Sequence, residues 1–143
     1  MRKVSRSALV PYSASEMYAL VENVAAYPEF LPWCTGATEH SRDADVVEAT
    51  LELQRGGISK SFRTRNSLQP GVAMDITLVG GPFRHLAGGW RFEQLGDAGS
   101  KVSLKLEFEF QNRVTDAVFG RYFEDICNSL IDAFTSRARK IYG

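Results

Sequence analysis

The sequence predicts an α+β domain in which a curved antiparallel sheet of about six to seven strands wraps around a long C-terminal helix. Two patterns carry that reading. From about Thr35 to Gln111 apolar residues recur at every second position between turn residues, as in half-buried strands joined by hairpins. From residue 114 to residue 142 the apolar period lengthens to that of a helix, and no proline interrupts it. A chain of 143 residues lies near the commonest domain size, so residues 1–143 read as one domain around one core.

Taken in order, residues 3–10 (KVSRSALV) alternate weakly and stop at Pro11, which cannot donate to a ladder, so they form a first strand. Ser13 and Glu16 have capping-box spacing, and Met17, Leu20, Val21 and Val24 follow at helical intervals, which predicts a short amphipathic helix over residues 14–25. Residues 27–34 (YPEFLPWC) place Pro28 and Pro32 among Tyr27, Phe30, Leu31 and Trp33. They cannot continue a helix and are too apolar for a solvated loop, so they should fold back onto apolar surface. In residues 46–54, Val47, Ala49, Leu51 and Leu53 share one face, with Glu48, Thr50, Glu52 and Gln54 on the other. Met74, Ile76 and Leu78 share a face in residues 72–79, as do Val102, Leu104, Leu106, Phe108 and Phe110 in residues 101–111. Arg55-Gly56-Gly57, Pro70-Gly71, Gly80-Gly81-Pro82 and the stretch from Gly96 to Gly99 supply the turns between strands.

Asn112 is placed to cap the last helix, whose stripe runs through Val118, Tyr122, Ile126, Phe134, Ala138 and Ile141 and is widened by Phe119, Phe123, Leu130 and Ile131. Strand, short helices, strand meander and long terminal helix make the helix-grip arrangement. A strongly curved sheet rarely closes down fully on its helix, so an apolar cavity is expected between the two. Leu51, Ile76, Trp90, Leu106, Phe108, Phe123 and Ile126 are expected to line it.

Composition narrows the function classes. Lys plus Arg and Asp plus Glu both number 17, so no overall field draws the chain to a polyanion. No DNA partner is expected, and a contact with RNA or a transient contact with a membrane surface would need a local patch. No apolar run reaches the roughly 18 to 20 residues of a membrane span, and Arg6 and Ser7 break the apolar residues near the start, which points to a cytoplasmic protein. Cys34 and Cys127 are the only cysteines and are expected to be free. His40 and His85 are the only histidines, without a second ligand at useful spacing, and no G-x-S-x-G or glycine-rich phosphate loop is present. No metal, no catalytic residue and no enzyme activity are therefore expected. Cys34, beside Trp33, lacks a placed base and reads as a small apolar residue at a pocket rim.

Three stretches stand out from this plain background. In GGISKSFRTRN, residues 56–66, Ile58, Lys60, Phe62, Thr64 and Asn66 alternate with Ser59, Ser61, Arg63 and Arg65, so whichever face turns inward carries polar groups. If Ile58 and Phe62 mark the inner side, Lys60 either snorkels into water or donates to a ligand carbonyl or phosphate. Arg63 and Arg65 would then face outward beside Arg55, as a solvated face or as a seat for an RNA backbone. Gly88-Gly89 before Trp90 marks a bulge or a close approach, for packing of the long helix or for ligand access. Gly120 should relieve a close contact or a bend in the last helix.

The segments LVPYSASEMYALV, YPEFLPWCTG, GGISKSFRTRN, GPFRHLAGGWRFEQL and FGRYFED together resemble the coenzyme Q-binding branch of the START-like polyketide cyclase/dehydrase and lipid transport superfamily, over almost the whole chain. The resemblance implies a helix-grip fold, an apolar tunnel able to take a polyisoprenoid quinone, and a role in respiratory electron transport. For one subgroup it also implies binding to the large ribosomal subunit and blocking its association with the small one, which inhibits translation. Carried over by matching segments, the ligand-binding residues are Tyr27, Pro28, Phe30, Leu31 and Trp33, then Phe83 and Trp90, then Phe119, Tyr122 and Phe123. Phe108 and Lys60 join them from the strand alternation. The first expectation is thus a non-catalytic binder of ubiquinone or another isoprenoid lipid, with no obligatory cofactor. The second is an inhibitor of ribosomal subunit association working through Arg55, Arg63 and Arg65. A cyclase or hydrolase has only superfamily analogy behind it.

Overall fold

A computed structural model describes residues 1–143. Strands β1 (Arg2–Val10), β2 (Cys34–Arg42), β3 (Val46–Arg55), β4 (Ile58–Gln69), β5 (Ala73–Gly80), β6 (Phe83–Gln94) and β7 (Ser100–Phe110) form one antiparallel sheet in the order β1-β7-β6-β5-β4-β3-β2. Strands β2 to β7 follow one another as a meander, and β1 returns to pair with β7. Between β1 and β2 lie helix α1 (Ala14–Glu22) and a 3-10 turn (Val24–Glu29). After β7 come the short turn α2 (Arg113–Thr115), a π-helical turn (Asp116–Gly120) and the long helix α3 (Arg121–Tyr142).

The local signals act as the sequence suggests. Ser13 Oγ accepts from the Glu16 backbone at 3.0 Å, and the Glu16 carboxylate accepts from the Ser13 backbone at 2.9 Å, closing the capping box that starts α1. Asn112 Oδ1 accepts from the Thr115 backbone at 2.8 Å and caps the last helical segment. On β7 the residues facing α3, Val102, Leu104, Leu106, Phe108 and Phe110, are buried, while Lys101, Lys105 and Glu107 lie exposed between them. Tyr27, Leu31 and Cys34 of the proline-rich segment are buried, with Pro28 inside the 3-10 turn, so this segment does fold back on the core.

The close approaches expected at Gly88-Gly89 and at Gly120 are found, and the structure names what approaches. Gly88 and Gly89 are required neither by the long helix nor by ligand access. A Cβ on Gly88, whose φ is +144°, would lie 2.0 Å from the Lys105 carbonyl oxygen, and one on Gly89 would lie 2.5 Å from that of Met74. The neighbouring strands β7 and β5 themselves leave no room. The last helix is also not one continuous α-helix. Its first turns widen into the π-helical turn, and Gly120 at the end of that turn meets Arg2: a Cβ there would come within 2.7 Å of the guanidinium. Arg2 in turn bridges Asp116 at 3.2 Å and Glu124 at 3.1 Å, tying β1 to both sides of the turn. At the far end Ile141 runs past the sheet and is exposed, so the apolar stripe is shorter than its sequence.

No helix is long and apolar enough to cross a membrane. Both cysteines are free and buried.

Candidate functional site

The middle of α3 and the inner faces of β3 to β7 enclose a cavity of about 70 Å³ lined by seventeen residues, fifteen of them apolar. Strand alternation supplies Leu51, Phe62, Met74, Ile76, Leu86, Trp90 and Leu106. The helix supplies Phe123, Ile126, Cys127, Leu130 and Phe134, and the segment after α1 supplies Val24, Tyr27 and Trp33. Thr64 and Asn66 are the two polar members. Trp33, Leu51, Ile76 and Leu130 are half-buried and mark the mouth; the others are buried. No charged side chain lines the cavity. Its volume is well below the roughly 300 to 1,000 Å³ of sites that enclose a drug-sized ligand, so a long-chain molecule is admitted only if the interface opens.

The structure divides the expected ligand residues into three groups. Tyr27, Trp33, Trp90 and Phe123 reach the cavity, as do Leu51, Ile76, Leu106 and Ile126. Leu31, Phe83, Phe108 and Phe119 are buried but do not line it. Phe83 and Phe108 are taken up by ring contacts, with centroids 5.3 Å and 4.9 Å from that of Phe123. Phe119 lies beside Phe110 at 6.5 Å. Pro28, Phe30, Tyr122 and Lys60 lie outside. Pro28 is exposed, and Phe30 backs the wall from behind, its ring edge-on to Phe134 at 5.3 Å and covered by the Arg137 guanidinium at 4.9 Å. Lys60 stands in solvent near the tip of the β3–β4 hairpin, which realises the snorkelling alternative and removes it as a ligand donor.

Tyr122 and Arg55 have a different task. The Tyr122 hydroxyl donates to the Gln54 carbonyl at 2.8 Å, the Arg55 guanidinium stacks on the Tyr122 ring at 5.2 Å, and Arg55 also donates to the Val118 carbonyl. The Val118 carbonyl lies within the π turn, so this bond joins the hairpin to that turn. The β3–β4 hairpin is thereby latched to the start of α3. Arg63 and Arg65 do not join Arg55 in one cationic patch: they lie on the outer face of β4, where Glu48 accepts from Arg63 at 2.8 Å and from Arg65 at 3.3 Å.

Nine cavity residues were not expected at the site: the apolar Val24, Phe62, Met74, Leu86, Leu130 and Phe134, together with Thr64, Asn66 and Cys127. For Thr64 and Asn66 the signal was present, since they share the face of Phe62. Burial disfavours the thiolate form of both cysteines. Burial pushes the Cys34 thiol up to about 11, with the Gly36 and Glu52 backbone acting in the opposite direction, and burial pushes Cys127 up as well. Cys34 donates to the Gly36 carbonyl at 3.3 Å and lies behind the cavity wall, not at its rim. Burial likewise raises the Tyr27 hydroxyl, which donates to the Val21 carbonyl at 2.5 Å and remains protonated. There is no group of three His, Cys, Asp or Glu side chains placed to hold a metal ion.

Comparison with known proteins adds four findings. The polyketide cyclase / dehydrase and lipid transport family matches residues 10–135. The chain is 46% identical over 143 residues to a Vibrio cholerae serotype O1 protein named ribosome association toxin RatA, a match covering 100% of this chain and 99% of that one. It is 25% identical over 136 residues to the mitochondrial coenzyme Q-binding protein COQ10 of Dictyostelium discoideum, covering 92% of this chain and 66% of that one. Among solved structures, the Zhui aromatase/cyclase of Streptomyces sp. R1128 matches with a TM-score of 0.80 over 99% of this chain and 96% of that one, at 16% identity, a likeness of fold alone.

Proposed function

We propose that the chain, which belongs to the polyketide cyclase / dehydrase and lipid transport family, works by binding and not by making or breaking bonds, and that its partner is the ribosome. The observation that carries this reading is the identity of 46% along the whole of both chains to a ribosome association toxin. The relative named for coenzyme Q is more distant, at 25%. Ribosome association therefore comes first, reversing the order of the two expectations drawn from the sequence. Supporting the absence of catalysis are a cavity lined by no carboxylate, histidine, lysine or arginine, whose titratable members Tyr27 and Cys127 are both raised by burial, and relatives named for association or binding. The cyclase likeness is one of fold, and fold does not carry activity.

Sedimentation with purified large ribosomal subunits through a sucrose gradient tests the reading. The protein is expected to travel with the subunits at low salt and to release as salt rises, because contacts to RNA phosphates weaken with ionic strength. Protein that stays at the top of the gradient at low salt overturns it.

A second reading has its own observation. A chamber with fifteen apolar residues of seventeen and no charge fits a neutral hydrophobic molecule, and ubiquinone or another isoprenoid lipid is the candidate that the coenzyme Q relative supplies. Organic extraction of the purified protein followed by mass spectrometry should release such a molecule. An extract containing no quinone or other isoprenoid lipid would count against it.

A further inference from the structure

Thr64 and Asn66 are the two polar side chains in an otherwise apolar cavity. Alternation along β4 puts them there: Phe62, Thr64, Asn66 and Leu68 turn inward, and Arg65 and Ser67 turn out. Their relative exposures are 6% and 3%. Thr64 Oγ1 donates to Asn66 Oδ1 at 3.1 Å, and the pair has no other side-chain partner. Across the sheet Asn66 is flanked by Val47 and Ile76, which offer no side-chain acceptor. A primary amide carries two N–H donors as well as its oxygen, and one hydroxyl satisfies one site at most. Whichever way the amide is turned, at least one N–H has no protein partner, and it is not sealed inside the protein, so the donor opens on the apolar cavity.

We propose that Asn66 anchors the polar head of the molecule held in the cavity, and that this molecule is neutral, largely apolar and equipped with a carbonyl or ether oxygen. The proposal rests on the reading of the cavity as a site for a hydrophobic ligand. Asn66 donates to the ligand oxygen, and Thr64 is the positioning residue that holds the amide. Neutrality follows from the lining: a carboxylate or phosphate head would be buried with no cation to meet it. A plain hydrocarbon would fill the space and leave the amide donor unused. At about 70 Å³ the cavity takes a head group and not a chain, which would leave past half-buried Trp33 and Leu51.

Acetophenone and α-methylstyrene form a matched pair of probes, identical in shape apart from a carbonyl oxygen replaced by a methylene. Their dissociation constants are measured by NMR titration of the native protein and of Asn66→Leu. The substitution should weaken acetophenone about fivefold more than it weakens α-methylstyrene, the usual worth of one neutral hydrogen bond. The Asn66 side-chain amide protons should shift on adding the ketone only. Equal changes for both probes overturn the anchor while leaving the cavity a ligand site. Failure of the native protein to bind either probe overturns the ligand reading itself, and the anchor with it. Should Asn66→Leu not fold, Thr64→Val keeps the shape of its side chain and is expected to weaken the ketone about twofold with no effect on the hydrocarbon; the same affinity for both probes as in the native protein overturns the proposal.

Discussion

Helix α3 meets the sheet in two different ways along its length. Around Phe123 the interface is a tile of rings, with Phe108, Phe83, Phe62 and Phe110 at centroid distances of 4.9, 5.3, 5.9 and 6.2 Å. One turn further on, Ile126, Cys127 and Leu130 face Leu51, Thr64, Asn66 and Ile76 across the cavity. Edge-to-face rings interlock at these separations, whereas smaller branched side chains do not span the same gap. The position of the cavity is therefore decided by which side chains the strands turn inward, as well as by the curvature of the sheet.

Truncation at the tiled end tests that contrast most severely. Phe123→Ala should lower the unfolding free energy by about 3 to 5 kcal/mol, measured by urea denaturation, because the ring, although it also lines the cavity, is buried against four other phenylalanines. Leu130→Ala, beside the existing cavity and half-buried, should cost no more than about 2 kcal/mol. Equal losses at the two positions would mean that the interface is uniformly packed and the contrast is false.

The 3-10 segment sharpens the comparison on a smaller scale. Phe30 and Trp33 read alike in the sequence, as two aromatics of one greasy lip, yet they face different things. Phe30 is wedged between Phe134 and the Arg137 guanidinium, outside the cavity, while Trp33 stands at the mouth. Phe30→Ala should thus cost about 2 kcal/mol of stability and leave ligand retention unchanged. Trp33→Ala should cost about half as much and reduce retention several-fold, read by extraction and mass spectrometry. Identical behaviour of the two variants would restore the single lip.

Much of this was legible in the residues because the signals were local or periodic. The capping box, the helical stripe and the alternation along β3, β5 and β7 each name a face without needing a neighbour. Alternation along β4 also put Thr64 and Asn66 with Phe62, but the exposed Lys60 on the same row drew the functional reading instead. What separated Lys60 from Asn66 was position along the strand: the row passes from solvent at the hairpin tip into the cavity within a few residues. The π turn was not legible: the Arg2 contacts that span it, to Asp116 and Glu124, join residues more than a hundred positions apart and exist only in the fold. A close approach at Gly88 was legible from the glycine pair, but its partner, the β7 backbone at Lys105, carries no residue-type signature.

The outer face of β4 gives the mildest test, because its arginines are already engaged. Burial raises the Glu48 carboxyl, but Arg65 and Arg63 together outweigh it and hold it below its ordinary value. A carboxyl depressed by folding favours the folded state above its unfolded-state pKa, and that contribution disappears as the pH falls through the folded value. Replacing Arg63 and Arg65 with Gln should therefore lower Tm by no more than about 2 °C at pH 7, as for ordinary surface changes, with native and variant converging as the carboxyl is protonated. Since Glu48 occupies both guanidiniums, co-sedimentation with the large ribosomal subunit should also persist in the variant. A variant that no longer sediments, while its circular dichroism stays native, would show that RNA phosphates displace Glu48 and that the outer face is the contact surface after all.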